Sequence, residues 1–166
     1  MEVVPYEVMQ AVHSTIYRSC AALNEERWSD YLKLCDADAF RYKVITYSPE
    51  IRRDQCWADR DFKAMKSAFD LIPRHNSDHS RLTRHAVVQL IDHDAQGSRA
   101  RVETQLAIYR TQLDGTMSYL ESGQTALYAI GRYLDDVRIE NTQALLVART
   151  VWLETRQLDV GSHKPF

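Results

Sequence analysis

The spacing of apolar residues changes along the chain, and this change constrains the fold more than any other feature. Over residues 8–23 apolar side chains recur at helical spacing, whereas from Leu82 onward they alternate with polar ones. Alternation at period two is typical of a strand with one face in water. Helices followed by such strands predict an α+β fold, in which N-terminal helices pack in a strongly curved, mostly antiparallel sheet.

Local signals predict the individual elements. Asn24 is expected to cap a second helix, and a third is expected over residues 59–72, where Pro73 stops it. Asp114-Gly115 is a strong hairpin signal, and Gly123 and Gly131 are expected to mark bulges. One strand is expected to begin at residue 82. Other strands are expected over residues 39–47, 102–108, 117–133 and 145–155.

Length and composition bound the class of protein. The 166 residues, 45% of them hydrophobic, suit a single domain over residues 1–166. The net charge of −2 gives no reason to expect nucleic acid or an anionic membrane as partner. No run approaches the roughly 20 apolar residues that cross a bilayer, and the first ten residues lack a secretory signal pattern. Three scattered cysteines suit a reducing compartment, so a cytoplasmic location is expected.

Metal-ligand patterns are weak in this chain. No cysteine is followed by a histidine at the Cys-x-His or Cys-x-x-His spacing that a Rieske cluster needs. A mononuclear iron site uses two histidines and a carboxylate, for which His75, Asp78 and His79 are the candidates. These residues follow Pro73 in an expected loop, and a polar surface or subunit-contact loop is the favoured interpretation.

Five segments together carry a family pattern. They are Glu26-Arg27-Trp28-Ser29-Asp30-Tyr31-Leu32, Leu82-Thr83-Arg84-His85, Tyr109-Arg110-Thr111, Gly131-Arg132-Tyr133-Leu134-Asp135 and Val147-Ala148-Arg149-Thr150-Val151-Trp152-Leu153. In this order they resemble the small (β) subunits of Rieske-type aromatic-ring-hydroxylating oxygenases. Gln89 stands where many members have asparagine, which indicates a divergent branch. Residues 73–79 and 161–166 resemble, within that family, the small hydroxylase subunit of methanesulfonate monooxygenase.

The resemblance implies a fold and a role. The fold would be the cone of the NTF2-like (SnoaL-like) kind. The chain would be a non-catalytic subunit that trimerises and supports a large α subunit, in an α3β3 hexamer. The α subunit would carry the Rieske [2Fe–2S] cluster and the mononuclear iron, with no cofactor in this chain. Residues expected at subunit interfaces are Arg84, Arg149, Trp152 and Phe166.

The alternative is a free-standing cone-fold enzyme of the dehydratase or isomerase type. It would need a general acid–base pair aimed into an open pocket, for which His85 with Tyr31 and Tyr42 is the candidate set. In the subunit hypothesis the pocket should be filled and His85 should be a hydrogen-bonded structural residue. The segment over residues 156–166 is expected either to fray or to dock on another subunit.

Overall fold

Nine elements follow one another in the part of the chain that the structure describes. The computed structural model describes residues 4–75, 79–113, 122–158 and 164–166. The helices are α1 (Tyr6–Asn24), α2 (Trp28–Lys33) and α3 (Phe62–His75). The strands are β1 (Arg41–Ser48), β2 (Arg53–Asp61), β3 (Arg81–His93), β4 (Arg99–Thr111), β5 (Thr125–Glu140) and β6 (Gln143–Leu153).

The six strands form one sheet in the order β2-β1-β6-β5-β4-β3. Neighbouring strands run antiparallel except β1 and β6, which are parallel. A parallel pair requires a long crossover, and here the whole segment between β1 and β6 serves as that connection. The predicted α+β fold with a curved, mostly antiparallel sheet is confirmed.

Helix α1 packs on one face of the sheet, which we call the inner face. Its buried stripe includes Val8, Val12 and Ile16, so its apolar residues have the period that a half-buried helix needs. Thr15 Oγ1 donates a hydrogen bond of 2.7 Å to the Ala144 carbonyl, tying the helix to β6. The core is therefore the space between the helices and the inner face of the sheet.

The two shorter helices close the same core through aromatic contacts. Trp28 of α2 stacks on Phe69 of α3, with ring centroids 4.9 Å apart. Tyr31 meets Phe69 edge-on at 5.8 Å and Phe40 at 6.3 Å. Such offset and edge-on pairs add to the stabilisation from apolar burial.

Three boundary predictions are wrong. Asn24 ends α1 instead of capping α2, whose N-cap position is Arg27. Helix α3 begins at Phe62, because residues 59–61 belong to β2, and it continues past Pro73 to His75. Strand β5 extends to Glu140. Strand β2 was not predicted at all, because its side chains are exposed on both faces and show no alternation.

Gly131 is not at a bulge. The register of β5 shifts instead opposite the step Ile108/Tyr109 in β4 and at Asp136/Val137. A Cβ atom at Gly131 would lie 2.2 Å from the Trp152 carbonyl oxygen, so close approach of β6 requires glycine here. Gly123 precedes β5 in a turn with φ of 86°. The predicted Asp114-Gly115 hairpin lies outside the described residues.

Among the described residues, no helix is both long enough and apolar enough to span a membrane.

Candidate functional site

The three residues of the enzyme hypothesis do not come together. Tyr31 and Tyr42 are buried at 0% and 1% exposure on the inner side of the sheet. His85 is exposed, and its ring meets Tyr109 edge-on at 5.2 Å. Successive side chains of a strand point to opposite faces, so β3 turns Arg84 inward and His85 outward. A proton transfer between His85 and the buried tyrosines is therefore excluded by geometry.

A buried ion pair occupies the centre of the interior. Arg149 Nε and Nη2 donate to the two carboxylate oxygens of Asp135, each at 2.8 Å. Arg149 Nη1 also donates to Ser19 Oγ at 3.0 Å, which connects β6 to α1. Neither charged side chain is exposed to solvent. Bidentate geometry with a further acceptor is the arrangement in which such a pair can be retained in a core.

Aromatic rings enclose the guanidinium of Arg149. Its Cζ lies 4.0 Å from the ring centroid of Tyr133 and 6.0 Å from that of Tyr31. These are cation–π distances, and the contact is strengthened where water is excluded. The Arg149 cluster, defined as Arg149, Asp135, Ser19, Tyr31 and Tyr133, therefore combines a buried ion pair with two aromatic rings. The Tyr31 and Tyr133 hydroxyls themselves have no hydrogen-bond partner among the described residues.

Burial makes the interior a poor place for acid–base chemistry near neutral pH. Desolvation raises the pKa of the phenols of Tyr31, Tyr42 and Tyr133. Burial also raises the pKa of the Cys20 thiol, and that of Cys35 to about 12. A general acid or base works best with a pKa near the operating pH. These phenols and thiols are shifted away from that range.

Residues Lys164–Phe166, which we call the docked segment, lie against the inner face. Lys164 Nζ donates to Glu26 Oε1 at 2.5 Å and to the Ser80 carbonyl at 2.6 Å. The Phe166 N–H donates to Tyr42 Oη at 3.1 Å. Arg84 Nη2 donates to the Pro165 carbonyl. Of the segment expected over residues 156–166, the described residues 164–166 are therefore not frayed but dock on their own chain.

Asn24 and Arg84 form a polar joint between α1 and β3. Asn24 Oδ1 accepts from the Arg84 backbone N–H at 2.9 Å and from Arg84 Nη1 at 3.1 Å. Arg84 is 5% exposed. The joint explains why Asn24 ends its helix, since its side chain is used by a strand 60 residues away in sequence.

The opposite, outer face of the sheet is partly apolar and open to solvent. Paired residues on neighbouring strands share a face, so the register aligns Val87, Gln105, Arg132 and Trp152 in one row. The Arg132 guanidinium lies 5.8 Å from the Trp152 ring centroid. Exposed apolar side chains on this face include Val87, Leu90, Ile130 and Leu134, with exposures of 61%, 62%, 38% and 36%.

The predicted interface residues have different locations. Trp152 is half-buried on the outer face, where a partner can reach it. Arg84 and Arg149 lie inside, at 5% and 0% exposure, and contact residues of their own chain. Phe166 belongs to the docked segment, where its ring stacks on Tyr128 at 6.2 Å.

The predicted iron ligands are only partly described. His75 ends α3, but its side chain and the whole of Asp78 lie outside the described residues. His79 is described and exposed. Within the described part of the chain, no group of three histidine, cysteine or acidic side chains is placed to hold a metal ion.

Asp135 and Tyr133 were not singled out by sequence reasoning. They share the inward parity of β5 with Val137, so an acid stood at a position where alternation requires an apolar residue. A buried acid of this kind needs a cationic partner. In β6, Arg149 shares its parity with the inward Val151 and Leu153, whereas Leu146 lies beyond a register shift.

Comparisons with known proteins now give the family. No protein-family model matches the chain. The chain is 38% identical over 159 residues to the methanesulfonate monooxygenase hydroxylase subunit beta of Methylosulfonomonas methylovora, covering 96% of this chain and 87% of that protein. It is 33% identical over 150 residues to the 2-aminobenzenesulfonate 2,3-dioxygenase subunit beta of an Alcaligenes species, covering 90% and 93%.

Solved structures agree on the fold. The beta subunit of a putative aromatic-ring-hydroxylating dioxygenase from Novosphingobium aromaticivorans superposes with a TM-score of 0.72 at 18% identity, covering 96% of this chain and 98% of that one. A putative scytalone dehydratase from the same organism gives 0.61 at 15% identity, covering 95% and 91%. The fold is thus the NTF2-like cone, and the two relatives above 30% identity establish that the chain belongs to the β subunits of the Rieske-type ring-hydroxylating oxygenases.

Proposed function

We propose that this chain is a non-catalytic assembly subunit of an oxygenase that acts on a sulfonate. Both relatives are named for sulfonate substrates, one aliphatic and one aromatic. The observation that best supports a non-catalytic role is the solvent-excluded ion pair at the centre of the interior. The Arg149 cluster contains a fully buried guanidinium paired with a fully buried carboxylate, and the docked segment covers the inner residues Tyr42 and Arg84.

The iron chemistry is assigned to a large α subunit. The sequence lacks the cysteine–histidine spacings of a Rieske cluster, so its residues do not fit that group. The Rieske [2Fe–2S] cluster and the mononuclear iron would both be held by the α subunit. Purification of the tagged chain from its native cell tests this, because a larger companion with Rieske-type absorbance should co-purify. A colourless, iron-free preparation without a companion would contradict it.

The outer face of the sheet is proposed as the self-association surface. Exposed Val87, Leu90 and Leu134 share this face with Trp152, and exposed apolar surface of this kind is typical of protein interfaces. Tryptophan and arginine are enriched among residues that dominate binding energy, and the Arg132–Trp152 pair has that character. Three copies joined through this face, with three α subunits, would give the α3β3 assembly.

The four interface residues would then act in two ways. Trp152 would contact a partner directly. Arg84 and Arg149 would act indirectly, by fixing the inner side of β3 and β6. Phe166 would hold the docked segment in place.

A pair of variants tests the outer face. Leu134→Asp places a charge at the centre of this face, and we expect the trimer to dissociate to monomer in light-scattering measurements. Tyr6→Ala is the matched control, since Tyr6 is a 69% exposed residue on α1, away from the outer face. A trimer that persists in Leu134→Asp, or dissociates equally in Tyr6→Ala, would argue against this surface.

The remaining parts of the proposal concern domain organisation and location. Residues 1–166 are proposed to fold as a single domain, which one cooperative unfolding transition would support. The cytoplasm is the proposed compartment, because Cys20, Cys35 and Cys56 are all free thiols and a reducing compartment preserves them. Fractionation of the native cell tests the location.

A further inference from the structure

The docked segment contacts the rest of the chain in the way a small ligand would. The Pro165 carbonyl accepts from Arg84 Nη2, and the Phe166 N–H donates to Tyr42 Oη. The Phe166 ring lies nearly parallel to the Tyr128 ring, at an interplanar angle of 13°. The hydrogen-bond acceptor, the hydrogen-bond donor and the aromatic ring of the docked segment are thus each contacted by a different side chain.

Arg84 carries a charge that the docked segment does not neutralise. Its other acceptors are the Asn24 amide oxygen and the Leu82 carbonyl, and Nε has no acceptor. Within the described residues no carboxylate pairs with Arg84, in contrast to Arg149. A guanidinium that is 5% exposed and lacks an anionic partner is held at a cost in free energy. An anion in place of the Pro165 carbonyl would remove that cost.

We propose that the groove under the docked segment is a binding site for a small aryl-alkyl acid, for which residues 164–166 are a built-in competitor. The aromatic ring would stack on Tyr128 and the carboxylate would pair with Arg84, with Tyr42 Oη donating to it. The nitrogen, Cα and Cβ of Phe166 separate the Pro165 carbonyl carbon from the ring. The corresponding acid has three linking carbons, which is 4-phenylbutyrate. The proposal does not rest on the proposed function.

Lys164 sets how tightly the segment competes. Lys164 is 8% exposed, and its ammonium group is held by Glu26 and the Ser80 carbonyl. A ligand that needs the open form binds with an affinity reduced by the fraction of molecules that are open. A change that removes the Lys164 contacts must therefore strengthen ligand binding, although the groove itself is unchanged.

The experiment is calorimetric titration of 4-phenylbutyrate into three versions of the chain, purified with any partner that accompanies them. These are the wild type, Lys164→Ala, and a variant that lacks residues 164–166. We expect the dissociation constant to fall in that order, by roughly tenfold or more between the first and the last. Equal affinity in all three would overturn the proposal.

Two controls identify the groove. Arg84→Gln in the variant lacking residues 164–166 should abolish binding, and neutral 4-phenylbutyramide should not bind, because the site selects an anion. Binding that survives Arg84→Gln, or equal binding of the amide, would also overturn the proposal. If removal of the segment prevents folding, Phe166→Ala takes its place, because it opens the ring position and keeps both backbone contacts. It should then bind more tightly than wild type, and a failure to do so counts against the site.

Discussion

The guanidinium of Arg149 and the carboxylate of Asp135 form a bidentate ion pair, with two bonds of 2.8 Å, from which solvent is completely excluded. The pair joins the two central strands β5 and β6. Burial of a charged pair costs several kcal/mol of desolvation for each ion, which good geometry and extra hydrogen bonds must offset. Here Ser19 and the Tyr133 ring supply those extra contacts.

Removing one partner of this pair should be strongly destabilising. Arg149→Met leaves the Asp135 carboxyl buried without its cation, and we expect unfolding free energy to fall by about 3–5 kcal/mol. The double variant Arg149→Met/Asp135→Leu should lose less than either single change, because no unpaired charge remains. Urea unfolding of the wild type, Arg149→Met, Asp135→Leu and the double variant gives the coupling energy between the two residues directly.

The exposed pair of Lys66 and Asp70 on α3 is the matched control. Its side chains are 60% and 67% exposed, and the nitrogen–oxygen distance is 3.2 Å. Lys66→Met should therefore cost no more than about 1 kcal/mol. Additive losses in the double-mutant cycle of Arg149 and Asp135, or a comparable loss at Lys66, would contradict this account of the interior.

Gly131 should not tolerate a side chain. The Cβ of alanine would lie 2.2 Å from the Trp152 carbonyl oxygen, and this atom belongs to the backbone of β6 and cannot rotate away. We expect Gly131→Ala to reduce unfolding free energy by about 3 kcal/mol or more, since strands must separate to admit it. Ile130→Ala, at the neighbouring exposed position, is the control and should cost much less. Thermal unfolding of the two variants checks the difference.

The thiols should separate into one reactive and two protected groups. Cys56 is exposed, whereas Cys20 and Cys35 are buried and burial raises the pKa of both. With a pKa of about 12, Cys35 has roughly one part in ten thousand of thiolate at pH 8. A disulfide reagent at pH 8 should titrate one thiol quickly and the other two only in denaturant. Cys56→Ser should remove the fast phase, and fast labelling of a second thiol would show that the interior is open.

Much of the fold could be predicted because each of its long strands has one solvent-exposed face. The alternation in β3, β4 and β6 is a direct consequence of that environment. Strand β2 has no such contrast, since it is an edge strand exposed on both faces. Pro73 was given too much weight, because a proline removes only one N–H donor, and α3 ends two residues later at His75.

The interior was harder to predict because its contacts join distant parts of the chain. Asn24 has the features of a cap, and only the fold shows that Arg84 takes its side chain. The direction of His85, however, was available from sequence. Leu82 is an inward apolar residue, so Arg84 shares its face and His85 does not. If the alternation rule had also been applied to the polar residues of β3, it would have predicted that Arg84, and not His85, points inward.

Asp36 fixes the turn into β1, and its charge gives the fold a defined response to acid. Its Oδ1 accepts from the N–H groups of Asp38 and Ala39 at 3.0 and 2.9 Å, and Oδ2 pairs with Arg138 at 2.5 Å. The Ala39 hydrogen bond is the main cause that lowers the pKa of Asp36, and the Arg138 charge adds to it. Asp36→Asn keeps the Oδ1 acceptor and loses the charge, so we expect a cost of about 1–2 kcal/mol at pH 7.

The pH dependence of that cost follows from the sign of the shift. Because the folded pKa of Asp36 is lowered, its stabilisation is present above the unfolded value of about 3.9 and is lost as pH falls through the folded value. The difference in unfolding free energy between wild type and Asp36→Asn should therefore be constant from pH 7 to 5 and shrink below pH 4. Asp36→Ala also removes the turn acceptor, so part of its cost should remain at low pH. Urea unfolding at each pH measures both differences, and a cost of Asp36→Asn that is independent of pH would assign it to packing instead of charge.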